Sequence, residues 1–174
     1  MAPGNSWTGN SKGVSYEYRL NDVNDHVKIW TISNDLLTYT NDNITTNIPV
    51  TTSEYSAGQL MEMSVKNEDG NEVVEYKDKN GLLVLKKVQV NTSPDASHGG
   101  WLCTYYVYDE KSQLRFVIPP AAVEAIATDW ILSTHANLIN EFCFRYEYDY
   151  RGRLIGKKRR VLPGCIWCMI CGIG

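Results

Sequence analysis

The stretch Tyr146-Glu147-Tyr148-Asp149-Tyr150-Arg151-Gly152-Arg153-Leu154 decides the reading of this chain, because two others say nearly the same thing. They are Glu75-Tyr76-Lys77-Asp78-Lys79-Asn80-Gly81-Leu82-Leu83 and Tyr106-Val107-Tyr108-Asp109-Glu110-Lys111-Ser112-Gln113-Leu114. Strand side chains alternate between faces, so Tyr146 and Tyr148 project to one side and Glu147 and Asp149 to the other. Alternation ends at Asp149. An Asp opening a tight turn accepts hydrogen bonds from backbone N–H groups ahead of it, and Gly152 can take the left-handed conformation that is costly for other residues. The chain then returns as Arg153-Leu154-Ile155, which predicts a hairpin with a bulged loop. Internal self-similarity of this kind is the signature of a repeat fold, in which each unit buries its apolar face only against its neighbours.

The copies differ in instructive ways. Ser112 stands where the others have Gly81 and Gly152, so the second turn either avoids the left-handed position or holds it under strain. Tyr76 lies two residues before Asp78, whereas Tyr108 and Tyr148 immediately precede their aspartates, with Tyr106 and Tyr146 three before. Asp followed five residues later by Leu, as Leu83, Leu114 and Leu154, is common to all three. Three ordinary hairpins would account for the same features without any family relationship.

Tyr-x-Tyr-Asp-x-x-Gly-Arg-Leu, as Tyr146 to Leu154, resembles the YD repeat of the RHS (rearrangement hot spot) family of large bacterial proteins. The runs Ala2 to Trp7, Glu75 to Gly81 with Val84 to Lys87, Thr104 to Asp109, Phe116 to Pro120 and Arg145 to Leu154 are similar to RHS-repeat proteins common in Bacteroidetes. The likeness covers roughly residues 1–164. It implies strand-turn-strand units wound into a large hollow β shell, in secreted or surface-associated proteins of far greater length, of which this chain is a fragment. The repeat-motif positions carried over are Tyr76, Asp78, Gly81, Leu83, Tyr106, Tyr108, Asp109, Leu114, Tyr146, Tyr148, Asp149, Gly152 and Leu154. The expected fold is mainly β: tandem antiparallel hairpins forming part of a shell, with one or two short helices between hairpins.

At 174 residues, 43% apolar and 21% charged, the chain falls among ordinary globular proteins, with one domain as the length-based expectation. A formal net charge of −3 gives no reason to expect nucleic acid or an acidic membrane as partner. Met1 to Trp7 lacks the basic segment and apolar run of a secretory signal, and no run of eighteen apolar residues offers a membrane span. If the parent is exported, its signal is expected upstream of this fragment.

Along the chain, Val14 to Leu20 and Val27 to Ile32 predict a hairpin across the polar break Asn21 to Asp25. Residues 33–54, crowded with Asn, Thr, Ser and Asp, predict a long polar loop with at most an edge strand near Ile48 to Val50. Three strands follow, about Gln59 to Lys66, Glu72 to Lys77 and Leu82 to Val90, and turns are expected at Asp69-Gly70, Asn80-Gly81, Lys111-Ser112 and Arg151-Gly152. Pro119-Pro120 followed by Ala121 to Thr128 predicts a short helix, and Ser133 is expected to cap another through about Glu141. This helical insert, residues 119–141, would cover a strand edge or rim.

Chemistry is sparse. Cys165-Ile-Trp-Cys168-Met-Ile-Cys171 has the spacing used by zinc and iron–sulfur sites, but it is incomplete and embedded in bulky apolar residues. Five cysteines, an odd number, exclude a complete disulfide framework within one chain. Arg151, Arg153, Lys157, Lys158, Arg159 and Arg160 divide between the two faces of a strand, which favours a solvated face or edge protection over a phosphate site. His26, His98 and His135 are scattered. Ser93, Asp95, Ser97 and His98 share a loop without a nucleophile elbow, and no phosphate or dinucleotide fingerprint is present. No catalytic, cofactor-binding or metal-binding residue is therefore assigned, and no cofactor is expected.

Residues 165–174 break abruptly from the polar β pattern. Skipping two bases forces a Val codon across Trp167-Cys168, gives Tyr or His across Cys168-Met169 and forces Asp across Met169-Ile170, so a further YD-like unit is available in the shifted frame. The tail is accordingly read as non-native, with poor order expected after Gly164 and an unprotected edge near Arg153 to Val161.

Two functions remain. The first is a non-catalytic structural segment of a shell whose partners are neighbouring repeats of the parent and an enclosed or presented effector or surface ligand. The alternative is a carbohydrate- or partner-binding β module using exposed tyrosines. Inward packing of Tyr106, Tyr108, Tyr146 and Tyr148 would favour the first, and a shared exposed face the second.

Overall fold

Every hairpin turn that carries the Asp motif has the same backbone. A computed structural model describes residues 13–33, 39–40, 43–44 and 47–158. Asp78 N–H donates to the Leu82 carbonyl at 2.9 Å and Gly81 N–H to the Asp78 carbonyl at 2.9 Å. The pair recurs as Asp109 to Gln113 and Ser112 to Asp109, 3.0 and 2.9 Å, and as Asp149 to Arg153 and Gly152 to Asp149, both 2.9 Å. In each turn one Asp Oδ1 accepts two further N–H groups. These come from Asn80 and Leu82 at 2.8 and 2.9 Å, Lys111 and Gln113 at 3.0 and 2.9 Å, and Arg151 and Arg153, both at 2.9 Å. A type I turn followed by one left-handed residue is the bulged hairpin loop expected from the sequence.

The left-handed residues are Gly81, Ser112 and Gly152, with φ of 79°, 60° and 78°. Ser112 therefore holds the strained position. Asn67 builds a fourth turn at Asp69-Gly70, where a turn was expected but not as a copy of the motif: its N–H donates to Asn71 O, Gly70 N–H returns to Asn67 O, and Gly70 has φ 84°. Asn67 Oδ1 accepts from Asp69 and Asn71 N–H at 3.1 and 2.8 Å. An amide oxygen performs the same acceptor role as a carboxylate.

The described residues divide into two compact units, one within residues 13–27 and 55–103 and the other within residues 28–54 and 104–158. The strands in chain order are β1 (Ser15–Leu20), β2 (Lys28–Thr31), β3 (Tyr39–Thr40), β4 (Asn43–Ile44), β5 (Val50–Glu54), β6 (Met61–Lys66), β7 (Glu72–Lys77), β8 (Leu83–Gln89), β9 (Trp101–Tyr108), β10 (Leu114–Ile118), β11 (Phe144–Tyr148) and β12 (Leu154–Lys158). The helices are α1 (Pro120–Ile126) and α2 (Ala136–Glu141). The fold is mainly β, antiparallel, with short helices between hairpins.

In the first unit β1 pairs with β6, β6 with β7 and β7 with β8, all antiparallel. The turns fix the register, since Lys66 pairs with Glu72 across Asn67–Asn71 and Lys77 with Leu83 across Asp78–Leu82. Leu60, Val74, Tyr76, Val84, Leu85 and Cys103 supply its buried apolar side chains. β1 was expected to form a hairpin with the strand after it. Instead β1 joins β6, and β2 pairs with β5. The intervening residues explain this. Val23–Asp25 form a 3₁₀ turn with a capping box between Asp22 and Asp25, closed by His26 at φ 48°. Asn21 fixes that departure: its side chain donates to Ser56 O at 3.0 Å and accepts Leu60 N–H at 2.8 Å.

In the second unit β9 pairs with β10, β10 with β11 and β11 with β12, with Tyr108 opposite Leu114 and Tyr148 opposite Leu154. This explains the Leu five residues after each Asp: it is the first paired residue of the returning strand. Within residues 33–54, read as a loop, the described residues hold β3, β4 and β5. Tyr105, Val107, Phe116 and Ile118 are fully buried, as are Ala122 and Ile126 on α1 and Ile139 on α2. Pro119 caps α1 with Pro120 in its first turn. Ser133 does not cap α2, because it lies inside a 3₁₀ turn (Leu132–Thr134) and His135 occupies the cap position with no side-chain bond. Among the described residues no helix is long and apolar enough to cross a membrane.

Candidate functional site

Two groupings concentrate chemically capable side chains, one in each unit. In the first unit the inward face of β6, β7 and β8 is partly ionic. Glu62 lies opposite Tyr76, and Tyr76 opposite Leu85. Glu62, Tyr76 and Lys87 are buried, and the 3₁₀ turn brings buried Asp25 to the same cluster. Arg19 on β1 closes the ring, with Nε 2.9 Å from Glu62 Oε1 and Nη2 2.9 Å from Asp25 Oδ1 and 2.8 Å from Glu62 Oε2. The Tyr76 hydroxyl donates to Asp25 Oδ1 at 3.1 Å, and Asp22 N–H donates to Asp25 Oδ2 at 2.8 Å.

Lys87 donates to the Ala96 carbonyl at 2.6 Å and lies 5.3 Å from the Tyr76 ring centroid and 5.6 Å from that of Trp101. Burial lowers its pKa, while Cys103, Asp25 and Glu62 pull the other way. Burial raises Glu62 above the usual carboxylate range against the opposing pull of Arg19. For Arg19, burial is outweighed by Glu62 and Asp25, so its pKa moves up. Burial pushes the Cys103 thiol up to about 11, only partly offset by Lys87. A thiol in that state is a poor nucleophile. The carboxylates are committed to Arg19 and Tyr76, so this cluster works as an electrostatic staple holding β1 and the 3₁₀ turn onto the sheet.

In the second unit the motif tyrosines share a face. Tyr106 is opposite Val117 and Val117 opposite Phe144, so by alternation Tyr106, Tyr108, Phe144, Tyr146 and Tyr148 lie together. All are half-buried. Lys157 sits 5.4 Å over the Tyr146 ring. The opposite face carries Val107, Phe116 and Arg145, all buried. Tyr76 differs from these tyrosines by position. The residue two before each Asp points into the core, and Tyr76, Val107 and Glu147 are all buried there.

Elsewhere Trp30 and Trp130 flank buried Tyr105, with centroids 6.0 Å from it in both cases, and the Tyr105 hydroxyl accepts Lys28 N–H at 3.1 Å. Arg115 donates to the Tyr146 carbonyl at 3.2 Å and lies 3.5 Å from Asp109 Oδ2. Of the loop residues considered for catalysis, Ser97 Oγ is 2.7 Å from His98 Nδ1, while Asp95 Oδ1 accepts Gly99 N–H. Among the described residues no group of three or more His, Cys, Asp or Glu is arranged to hold a metal ion. Cys165, Cys168, Cys171, Arg159 and Arg160 lie outside the described residues.

The cluster of Arg19, Asp25, Glu62 and Lys87 was not found by the sequence reading. Its only signal is parity: Glu62 and Lys87 occupy strand positions that alternation aligns with Tyr76, Val74 and Leu85. Comparison of the chain with protein-family models, with characterised proteins and with solved structures finds no match in any of the three.

Proposed function

We propose that the chain is a non-catalytic structural segment of a larger repeat protein of the RHS type, stacked in the parent against neighbouring hairpin units. The carrying observation is the single turn geometry used at Asn67, Asp78, Asp109 and Asp149. Reuse of one turn at successive hairpins is what a tandem array requires, because each unit then presents the same register and twist to the next. The parent is read as secreted or surface-exposed, with the array enclosing or presenting an effector. The test is the nucleotide sequence around the coding region. Further Asp- or Asn-x-x-Gly turns between alternating strands, upstream in frame or downstream in the shifted frame, are expected. Flanks encoding no such units in either frame would overturn the reading.

A second reading has one specific observation in its favour: Tyr106, Tyr108, Tyr146 and Tyr148 share a half-exposed face rather than packing wholly inward. An aromatic face of this kind stacks on sugar rings or on apolar side chains of a partner. Titration with soluble oligosaccharides, followed through tyrosine fluorescence in the intact chain and in Tyr146→Ala, separates the two. Saturable binding lost in the variant supports the second reading, and an unchanged signal leaves the tyrosines as cross-strand packing.

A further inference from the structure

We infer that β1 is a self-complementary pairing edge through which two copies of this chain associate. Among the described residues β1 ends its row in the first unit, its ladder running to β6 in unbroken register from Ser15 opposite Lys66 to Leu20 opposite Met61. All six of its residues are exposed. The outward face is apolar, with Tyr16, Tyr18 and Leu20 exposed to 63, 65 and 61%, and Met61 beside Leu20 is also exposed. Its polar residues Glu17 and Arg19 face the side on which Ser64 and Glu62 are buried. Apolar residues outward and charges inward invert the usual pattern of an edge.

An exposed edge is ordinarily blunted by charged side chains, especially Lys, by Pro, by a bulge, by an inward-pointing charge or by a covering element. β12, which ends the row in the second unit, follows that rule: its register breaks beside Tyr148, and it carries Gly156, Lys157 and Lys158. β1 contains no Lys, Pro or Gly and no bulge. Its inward Arg19 is neutralised by Asp25 and Glu62, so among the described residues no uncompensated inward cation keeps a second strand away from β1.

Charge and polarity in β1 select its own copy as the occupant. In an antiparallel pair centred on Tyr18, Tyr18 opposes Tyr18, Glu17 opposes Arg19 twice, and Tyr16 opposes Leu20 twice. Directly opposed residues share a face and interact most strongly, so every pair is matched in kind. Shifting by one residue sets the apolar face of one copy against the charged face of the other. A shift to the next like-faced register sets Glu17 against Glu17 in one direction and Arg19 against Arg19 in the other. Arg19 already faces Glu62 and Asp25 inward. Its Nη1 turns outward to exposed Asp22 at a long 3.4 Å, leaving that donor accessible to a Glu17 carboxylate from the second copy.

The test uses the full chain with Cys165, Cys168 and Cys171 replaced by Ser, carrying Tyr18→Cys or Tyr16→Cys. Opposed Cα atoms in a paired strand lie about 4.5–5.5 Å apart, within disulfide range, whereas Tyr16 and its own copy would be about 13 Å apart. Mild oxidation is expected to give a covalent dimer with Tyr18→Cys and little with Tyr16→Cys. Sedimentation equilibrium is expected to show concentration-dependent dimers. Glu17→Arg, an exposed substitution, is expected to weaken them about tenfold or more by opposing two pairs of like charges, with an unchanged circular dichroism spectrum. A monomer at every concentration, equal cross-linking of the two cysteine variants, or full dimerisation of Glu17→Arg would each overturn the inference.

Discussion

Ser112 holds a φ of 60° at the position where Gly70, Gly81 and Gly152 stand at 84°, 79° and 78°. A side chain in this region costs about 1–2 kcal/mol, so Ser112→Gly is expected to stabilise the chain by up to about 1 kcal/mol once the added freedom of the unfolded Gly is subtracted. Gly81→Ala is the reciprocal change. A Cβ there meets nothing within 4 Å, so backbone strain alone is added, and destabilisation of about 1 kcal/mol is expected. Urea unfolding of both variants measures the two signs. Tyr76→Phe removes the hydroxyl that donates to Asp25 Oδ1 and leaves a buried carboxylate short of a partner. A loss of about 1.5–3 kcal/mol is expected in the same assay. A neutral Tyr76→Phe would show that Asp25 is satisfied without it.

At the scale of elements, the hairpins were legible because their signals are local. Asp149, Gly152 and Leu154 fix turn, handedness and register within six residues, and the same is true of β7 with β8 and of β9 with β10. The pairing of β1 was not legible. Its choice of β6 over β2 depends on the Asp22–Asp25 capping box and on Asn21 bridging to Ser56 and Leu60, contacts that reach up to 39 positions along the chain. The Asn67 turn was missed as a copy because Asn replaces Asp and no tyrosine precedes it. The ionic cluster was missed because the apolar Met61, Met63 and Val65 alternate with Glu62 and Ser64, and hydrophobicity alone places the methionines inward. The structure buries Glu62 and Ser64 instead, since Arg19 neutralises the Glu62 carboxylate and Glu72 accepts the Ser64 hydroxyl.

Across the whole molecule, stability on the alkaline side follows from groups that each unit buries in their protonated form. Burial pushes Cys103 up to about 11 and Cys143 up to about 12, with Lys87 and Arg145 respectively pulling down, and it raises Tyr76 as well. An unfolded thiol titrates near about 8.5. The folded chain therefore keeps protons that the unfolded chain releases, so this stability is present below that value and is lost as pH rises through 11 and 12. Lys87, whose folded pKa is lowered, works in the opposite direction as pH approaches its unfolded value. A falling melting temperature from pH 8 to pH 11 is expected, with a shallower fall in Cys143→Ala. An identical slope in that variant would remove Cys143 from the explanation.

The central claim is that one turn, used at Asn67, Asp78, Asp109 and Asp149, organises the β structure. Solution NMR of the intact chain measures it most directly, through the three-bond HN–Hα couplings and intraresidue NOEs that report the sign of φ at residues 70, 81, 112 and 152. The expected result is positive φ at all four, Ser112 included, with slowed exchange at the Asp78, Asp109 and Asp149 amides that bond across each turn. A negative φ at Ser112, or rapid exchange at those amides, would contradict it.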